Sequence, residues 1–244
     1  WYMVKSGLVD DPRVSQYRLT AHLGAAVLIY GFILWVALGL YFGGADRSAG
    51  GTAGDWRGTR LAPVAAYLIT GLLFVMILSG GMVAGTRAGL AYNNWPWMGE
   101  SLIPPGLYAT EPFWLAMFED ITTIQFNHRM LAYLLFAIIV PYAVYYLRSG
   151  VAGRVRRGMS AMLVLLVLQI CLGIATLWLL VPVPLAAAHQ GGAILLFTSS
   201  LVVSQALYRH ARCGAGTDDA DLSSPACAKK KSVTRTIVGI YSRA

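Results

Sequence analysis

Charge is the first thing this chain lacks. Asp, Glu, Lys and Arg make up only 12% of its 244 residues, where a soluble domain carries about 25%. That deficit excludes a domain with an ordinary solvated surface. Cysteine is scarce as well. Cys171, Cys213 and Cys227 show no CxxC spacing; the first lies inside an apolar run and the other two lie on the reducing side, so no structural disulfide is expected. Acidic residues number 11 and histidines 4, and no carboxylate or thiolate accompanies the histidines in the sets of three or four that zinc requires. The net charge of +8 comes without a nucleic-acid motif, so it reflects membrane topology and attraction to anionic lipid.

Apolar residues fill the space that charge leaves, at 57% of the chain. Five runs are long enough to cross a hydrocarbon core, which needs roughly 20 residues at 1.5 Å each. They are Leu19–Phe42, Leu61–Ala84, Thr122–Leu147, Met159–Leu180 and Leu185–Tyr208. The expected class is therefore an all-α membrane protein with five transmembrane helices, the last four forming a four-helix bundle. Arg129 sits near the start of the third run, where a long side chain can snorkel to the interface.

Basic residues orient the chain. With five spans, Lys5, Arg13, Arg18, Arg87 and Arg129 fall on one side and the other 14 of the 19 Lys and Arg on the opposite side. By the positive-inside rule the richer side faces the cytoplasm or matrix, so the chain begins outside and ends inside. An outside start with an odd number of spans and no leader is unusual for a whole protein, and a fragment, a processed form or a partial gene is the expectation.

Between the spans, Gly43–Thr59 reads as a polar, Gly-rich inner connector and Arg148–Gly158 as a short basic turn. The outer stretch Gly85–Ile121 carries Tyr92, Trp95, Trp97, Tyr108, Phe113 and Trp114 among four prolines. It is either an aromatic belt at headgroup depth or a lid over a pocket. From Cys213 onward the chain is polar, ends basic, and has the composition of a disordered tail. The organisation expected is 1–43 as a helix with its outer lead-in, 44–60 as connector, 61–209 as the four-helix unit, and 210–244 as inner tail.

Three histidines open three of the runs from the outer side. Leu19-Thr-Ala-His22-Leu-Gly-Ala-Ala also matches Leu185-Ala-Ala-Ala-His189-Gln-Gly-Gly, the trace of a duplication in which the first span closes one four-helix half and the other four form the second. His128 lies six residues after Thr122 and His189 four after Leu185, so they sit about 9 and 6 Å below the outer boundary. Ionisable residues in a membrane are functional candidates, and one imidazole from each of two helices can supply the axial nitrogens of a haem iron. Gly192 and Ala193 beside His189, and Ala25 and Ala26 beside His22, leave room on the same helix faces. Arg129 and Arg18 can meet haem propionates or snorkel. Gln125 can orient His128 or a propionate, or bond between helices. His210, on the basic side, reads as an ordinary terminal histidine.

Three stretches carry a resemblance: Gly80-Gly-Met-Val-Ala-Gly-Thr-Arg-Ala-Gly-Leu-Ala-Tyr-Asn-Asn-Trp-Pro-Trp-Met-Gly-Glu, Gln125-Phe-Asn-His128-Arg129, and Pro182-Val-Pro-Leu-Ala-Ala-Ala-His189-Gln190. Together with Trp1-Tyr-Met-Val-Lys-Ser-Gly-Leu and Tyr17-Arg-Leu-Thr-Ala-His22-Leu, they make residues 1 to about 209 resemble the haem A synthases of mitochondria and proteobacteria. The resemblance implies an eight-helix protein of two halves, three helices of which would precede this chain, that oxidises a methyl group of haem O to the formyl group of haem A for cytochrome oxidase. It implies that His128 and His189 hold a resident haem b, with Arg129 and Gln125 beside it, and that His22 is one ligand of the substrate haem. Gln125 stands where the first half of the family has a Glu, which suits a holding site. The outer loop lacks the cysteine pair of some bacterial members, which argues against a mechanism relying on those thiols. The implied partners are haem O, membrane lipid, an electron donor such as a ferredoxin system, haem O synthase and oxidase assembly factors. A homo-oligomer fits too, and the implied location is the mitochondrial inner membrane or, alternatively, the bacterial plasma membrane. Two other functions compete on the residues alone: a bis-His b-type electron-transfer protein, and a transporter or structural bundle without haem.

Overall fold

The computed structural model describes residues 15–48, 61–151 and 153–215. The lead-in 1–14, most of the inner connector and the tail beyond 215 lie outside the described residues. The described chain forms α1 (Gln16–Ser48), α2 (Leu61–Thr86), α3 (Phe113–Glu119), α4 (Ile121–Arg148), α5 (Gly153–Trp178) and α6 (Val183–Ala215), with a 3-10 turn at Ala88–Leu90 and, among the described residues, no strand. Five of the helices are long and apolar enough to cross a membrane, and α3 is not one of them. The protein is a multi-pass membrane protein, as expected.

The helices overrun the apolar runs. α1 starts at Gln16 and reaches Ser48, and α5 starts at Gly153, so the basic turn shrinks to the few residues between Arg148 and Gly153. Likewise α6 continues past 209 to Ala215. A helix leaving the hydrocarbon loses nothing by keeping its backbone bonds, and Arg156 and Arg157 are exposed on the first turns of α5. At the outer end, Asp120 caps α4 by accepting from Thr122 N and Thr123 N, both at 3.2 Å, which fixes where the span begins.

Helices α2, α4, α5 and α6 close into a ring in which α2 and α5 each neighbour both α4 and α6. Consequently α4 and α6 face each other across it. α1 packs outside, against α2 and α6. Lipid supplies no hydrophobic force between helices, so close approach must come from small residues and polar contacts. Gly24 lies against Leu78 and Phe74, and Gly31 against Phe197 and Leu201. Thr70 Oγ1 meets Ser200 Oγ at 3.2 Å and Ser204 Oγ at 3.1 Å, and Tyr30 OH meets Thr198 Oγ1 at 2.6 Å.

The apolar core is one-sided. Its buried members run through Ala62–Ile77 on α2, Leu135–Tyr146 on α4, Val155–Leu166 on α5 and Leu196–Leu207 on α6, the inner two-thirds of the bundle. Above it, in the outer band of the bundle, no residue of α5 between 167 and 175, and none of α6 between 183 and 195, is buried. On the other side of the ring the outer ends of α2 and α4 keep a small buried cluster of their own, Met82, Ala88 and Ile124, with Gln125 and Arg129 buried beside it.

Candidate functional site

His128 and His189 both project from that band. The outer ends of their helices are brought together by the loop between α2 and α4. Glu119 accepts from Tyr17 OH and from Gln16 Nε2, the latter at 3.3 Å, so the starts of α1 and α4 share one end of the molecule. Asn93 Nδ2 donates to Leu177 O at 3.1 Å, and Gly89 packs on Val181, which ties the α5–α6 turn to the same end. All three histidine-bearing helix starts therefore lie together, as their positions in sequence imply.

His128 is half-buried against α2. Its Nδ1 pairs with Ser79 Oγ at 3.1 Å. Gly80 lies beside it, where a Cβ would make an ordinary contact at 3.6 Å from His128 Cε1. With Nδ1 taken by a hydroxyl, Nε2 is the nitrogen left to ligate. Across the ring His189 is likewise half-buried, against α5. A Cβ on Gly173 would stand only 3.0 Å from its Cε1, and its Nδ1 is buried with no partner.

Gln125 and Arg129, the other two residues expected beside His128, serve the loop. Arg129 is 6% exposed. It donates through Nη1 to Asn94 O at 3.1 Å and Trp97 O at 2.9 Å, and through Nη2 to Tyr92 O at 2.9 Å. It does not snorkel, because the loop carbonyls supply at membrane depth what headgroups supply elsewhere. Gln125 Nε2 donates to the same Tyr92 O at 2.9 Å, while its Oε1 and Arg129 Nε stay unpartnered. Trp95 Nε1 to Tyr133 OH at 3.0 Å and Tyr108 OH to Asn127 Oδ1 at 2.6 Å complete the clamp. The loop is thus a folded cap fastened to the outer end of α4. Its aromatic residues are divided between the two expected roles: Trp95 and Tyr108 hold the cap down, whereas Phe113 and Trp114 stay exposed at 62% and 54%.

His22 stands apart. It is exposed, as are Ala25 and Ala26 on its face of α1, whereas Gly24, Val27 and Gly31 form the buried face toward α2 and α6. Its imidazole is not brought to the other two. Arg18 lies partly buried in the first turn of α1. The space at Gly192, expected to admit a flat ligand, is taken by the Gln169 amide. Only the helical part of the chain around His210 is described, not its side chain.

Ser79, Gly80, Gln169 and Gly173 are the site residues that the sequence did not single out for a role. A hydroxyl or carboxamide inside an apolar run was the available signal, and it does not say which neighbour it serves. Among the described residues no group of three or more His, Cys, Asp or Glu is gathered for a metal ion. What the band offers is a pair of imidazoles on facing helices. An orphaned Nδ1 on His189 and the close approach of Gly173 to its ring accompany the pair, and the arrangement fits a planar macrocycle held between two imidazoles.

Known proteins similar to this chain place it in a family. The profile of the cytochrome oxidase assembly protein family COX15-CtaA matches residues 1–201. A curated protein of Nitrosospira multiformis, named Heme A synthase, is 50% identical over 212 residues, 86% of this chain and 57% of the relative. Proteins of the same name from Nitrosomonas eutropha and Parvibaculum lavamentivorans are each 44% identical, covering 85% and 81% of this chain and 57% and 53% of their own. The chain thus spans little more than half the length of these relatives. The profile match over most of the chain and the relatives' identity together establish that it belongs to the COX15-CtaA family of cytochrome oxidase assembly proteins.

Proposed function

We propose that this chain is the haem-holding half of a haem A synthase, with His128 and His189 as the two axial ligands of a resident haem b. The observation that carries the proposal is the pair of imidazoles on opposite helices of the ring, one paired with Ser79 and the other with a buried, unpartnered Nδ1. Ser79 holds the His128 ring by Nδ1, and Gly173 leaves the His189 ring room. The cap fastened by Arg129 and Gln125 excludes bulk water from above, with the Arg129 Nε donor left over for a carboxylate edge group of the ligand. A haem held there by His128 and His189 would supply one-electron chemistry.

The activity of the whole protein, on this proposal, is oxidation of a methyl group of haem O to the formyl group of haem A for cytochrome oxidase. His22, on the face of α1 that the second half leaves uncovered, is one ligand to that substrate haem. Haem O synthase and oxidase assembly factors are the partners that supply haem O and receive haem A, and an electron donor such as a ferredoxin system completes the reaction. The relatives compared are bacterial, which favours the bacterial plasma membrane over the mitochondrial inner membrane.

The test is the reduced-minus-oxidised spectrum of the chain purified from haem-replete cells. His128→Ala and His189→Ala should each abolish the low-spin bis-His signature. An unchanged spectrum in both variants overturns the ligand assignment.

A further inference from the structure

Helices α5 and α6 meet at the level of His189 by exchanging glycine for side chain in both directions. Gly173 on α5 admits the His189 ring, with a Cβ there standing 3.0 Å from Cε1 and 3.6 Å from each ring nitrogen. Gly192 on α6 admits Gln169, whose Oε1 a Cβ at that position would overlap. Gln169 and Gly173 are four residues apart and His189 and Gly192 three apart, so each pair shares one helix face. Gln169 Nε2 donates to the backbone carbonyl of His189 at 2.7 Å. A carbonyl only accepts, so the amide is fixed with its NH2 end there and its oxygen end left over. That Oε1 is buried and unpartnered, and so is His189 Nδ1. The first can only accept, and the second must donate once the ring ligates through Nε2. Buried polar atoms of this kind normally find each other.

We propose that Gln169 is the positioning residue of His189, anchoring the α6 backbone through Nε2 and accepting the Nδ1 proton through Oε1 when Nε2 binds haem iron. The proposal rests on the ligand assignment above. An acceptor on Nδ1 fixes the ring plane and makes the imidazole a stronger donor to ferric iron. Gln169→Leu removes that acceptor. Gln169→Glu keeps one oxygen toward Nδ1, and when protonated keeps a donor toward the His189 carbonyl. Gly192→Ala keeps the amide but pushes it out of its notch.

The experiment is a redox titration and low-temperature EPR of the full chain loaded with haem b. Gln169→Leu should weaken ferric relative to ferrous binding by about tenfold, a rise in midpoint potential of ~59 mV for one electron, with altered g values. Gly192→Ala should move both readouts the same way, and Gln169→Glu should return the potential to that of the parent or below. If the Leu variant does not assemble, Gly192→Ala and Gln169→Glu decide. Parent-like potential and g values in Gln169→Leu or Gly192→Ala, or a Glu variant whose potential rises like that expected for Leu, would overturn the proposal. His189→Ala separates the two layers: a retained low-spin spectrum sinks the ligand assignment itself, whereas its loss alongside unmoved Gln169 and Gly192 variants sinks only the role of Gln169.

Discussion

Arg129 does more than any other single residue to hold the outer cap. Three loop carbonyls converge on its guanidinium, and a bond to a charged donor contributes about 1.5–3 kcal/mol. Arg129→Ala should therefore destabilise the cap by about 3 kcal/mol or more. The measurement is limited proteolysis in the stretch between Tyr92 and Pro112, which should accelerate at least tenfold while cleavage elsewhere is unchanged. Arg129→Lys should rescue little, since one ammonium cannot reproduce the planar fork. Equal cleavage of parent and Ala variant would mean that the aromatic contacts hold the cap without it. His128 and Arg129 were legible as a pair in the sequence, yet their division of labour was not. Adjacent residues on a helix point about 100° apart, so one faces the ring interior and the other the loop.

At the scale of elements, α5 and α6 are joined by glycines with two distinct jobs. Gly158 lies in the inner core, where a Cβ would stand 2.7 Å from Val203 Cγ2; Gly173 lies in the outer band against His189. Gly158→Ala should lower thermal stability in detergent by about 1–3 kcal/mol, the usual effect of overpacking, and leave the haem spectrum intact. Gly173→Leu should do the reverse, displacing the His189 ring and losing the low-spin signature with a smaller change in melting. If both variants alter stability and spectrum together, the core and the band are one cooperative unit. The five long helices were plain in the sequence because an uninterrupted apolar run in lipid has no alternative to helix. Their true ends were not, because a helix leaving the hydrocarbon loses nothing by keeping its backbone bonds. The short helix α3 escaped notice as well: seven residues, Phe113–Glu119, are too few to show a helical period.

For the whole molecule, the arrangement predicts two separable haem functions and one sidedness. In a full-length protein, His22→Ala should abolish haem A formation while resident haem b remains, as read by chromatography of extracted haems. Normal haem A would sink the substrate role of His22, and loss of all haem b would show that the two sites depend on each other. Cysteine placed at Ser101, in a background without native thiols, should label from outside intact membranes, whereas cysteine at Gly153 should not. The 14 basic residues on the inner side make each inverted orientation costly, so outer labelling at 153 would overturn the topology.

Class and span number were determined by sequence alone, because lipid leaves a chain of this composition only helices, while charge bias, which counts residues without regard to contacts, supplies the orientation that the labelling tests. The three histidines and their common end followed from the same two facts. Only the tertiary structure decided which histidines face each other. His22 and His189 sit in matching motifs, yet one lies on the uncovered face of α1 and the other across the ring from His128. That outcome depends on which face of each helix the glycines at 24, 31, 173 and 192 turn toward a neighbour. The roles of Ser79 and Gln169 were decided there too, since a hydrogen bond between residues 49 positions apart or 20 apart exists only once the helices have packed.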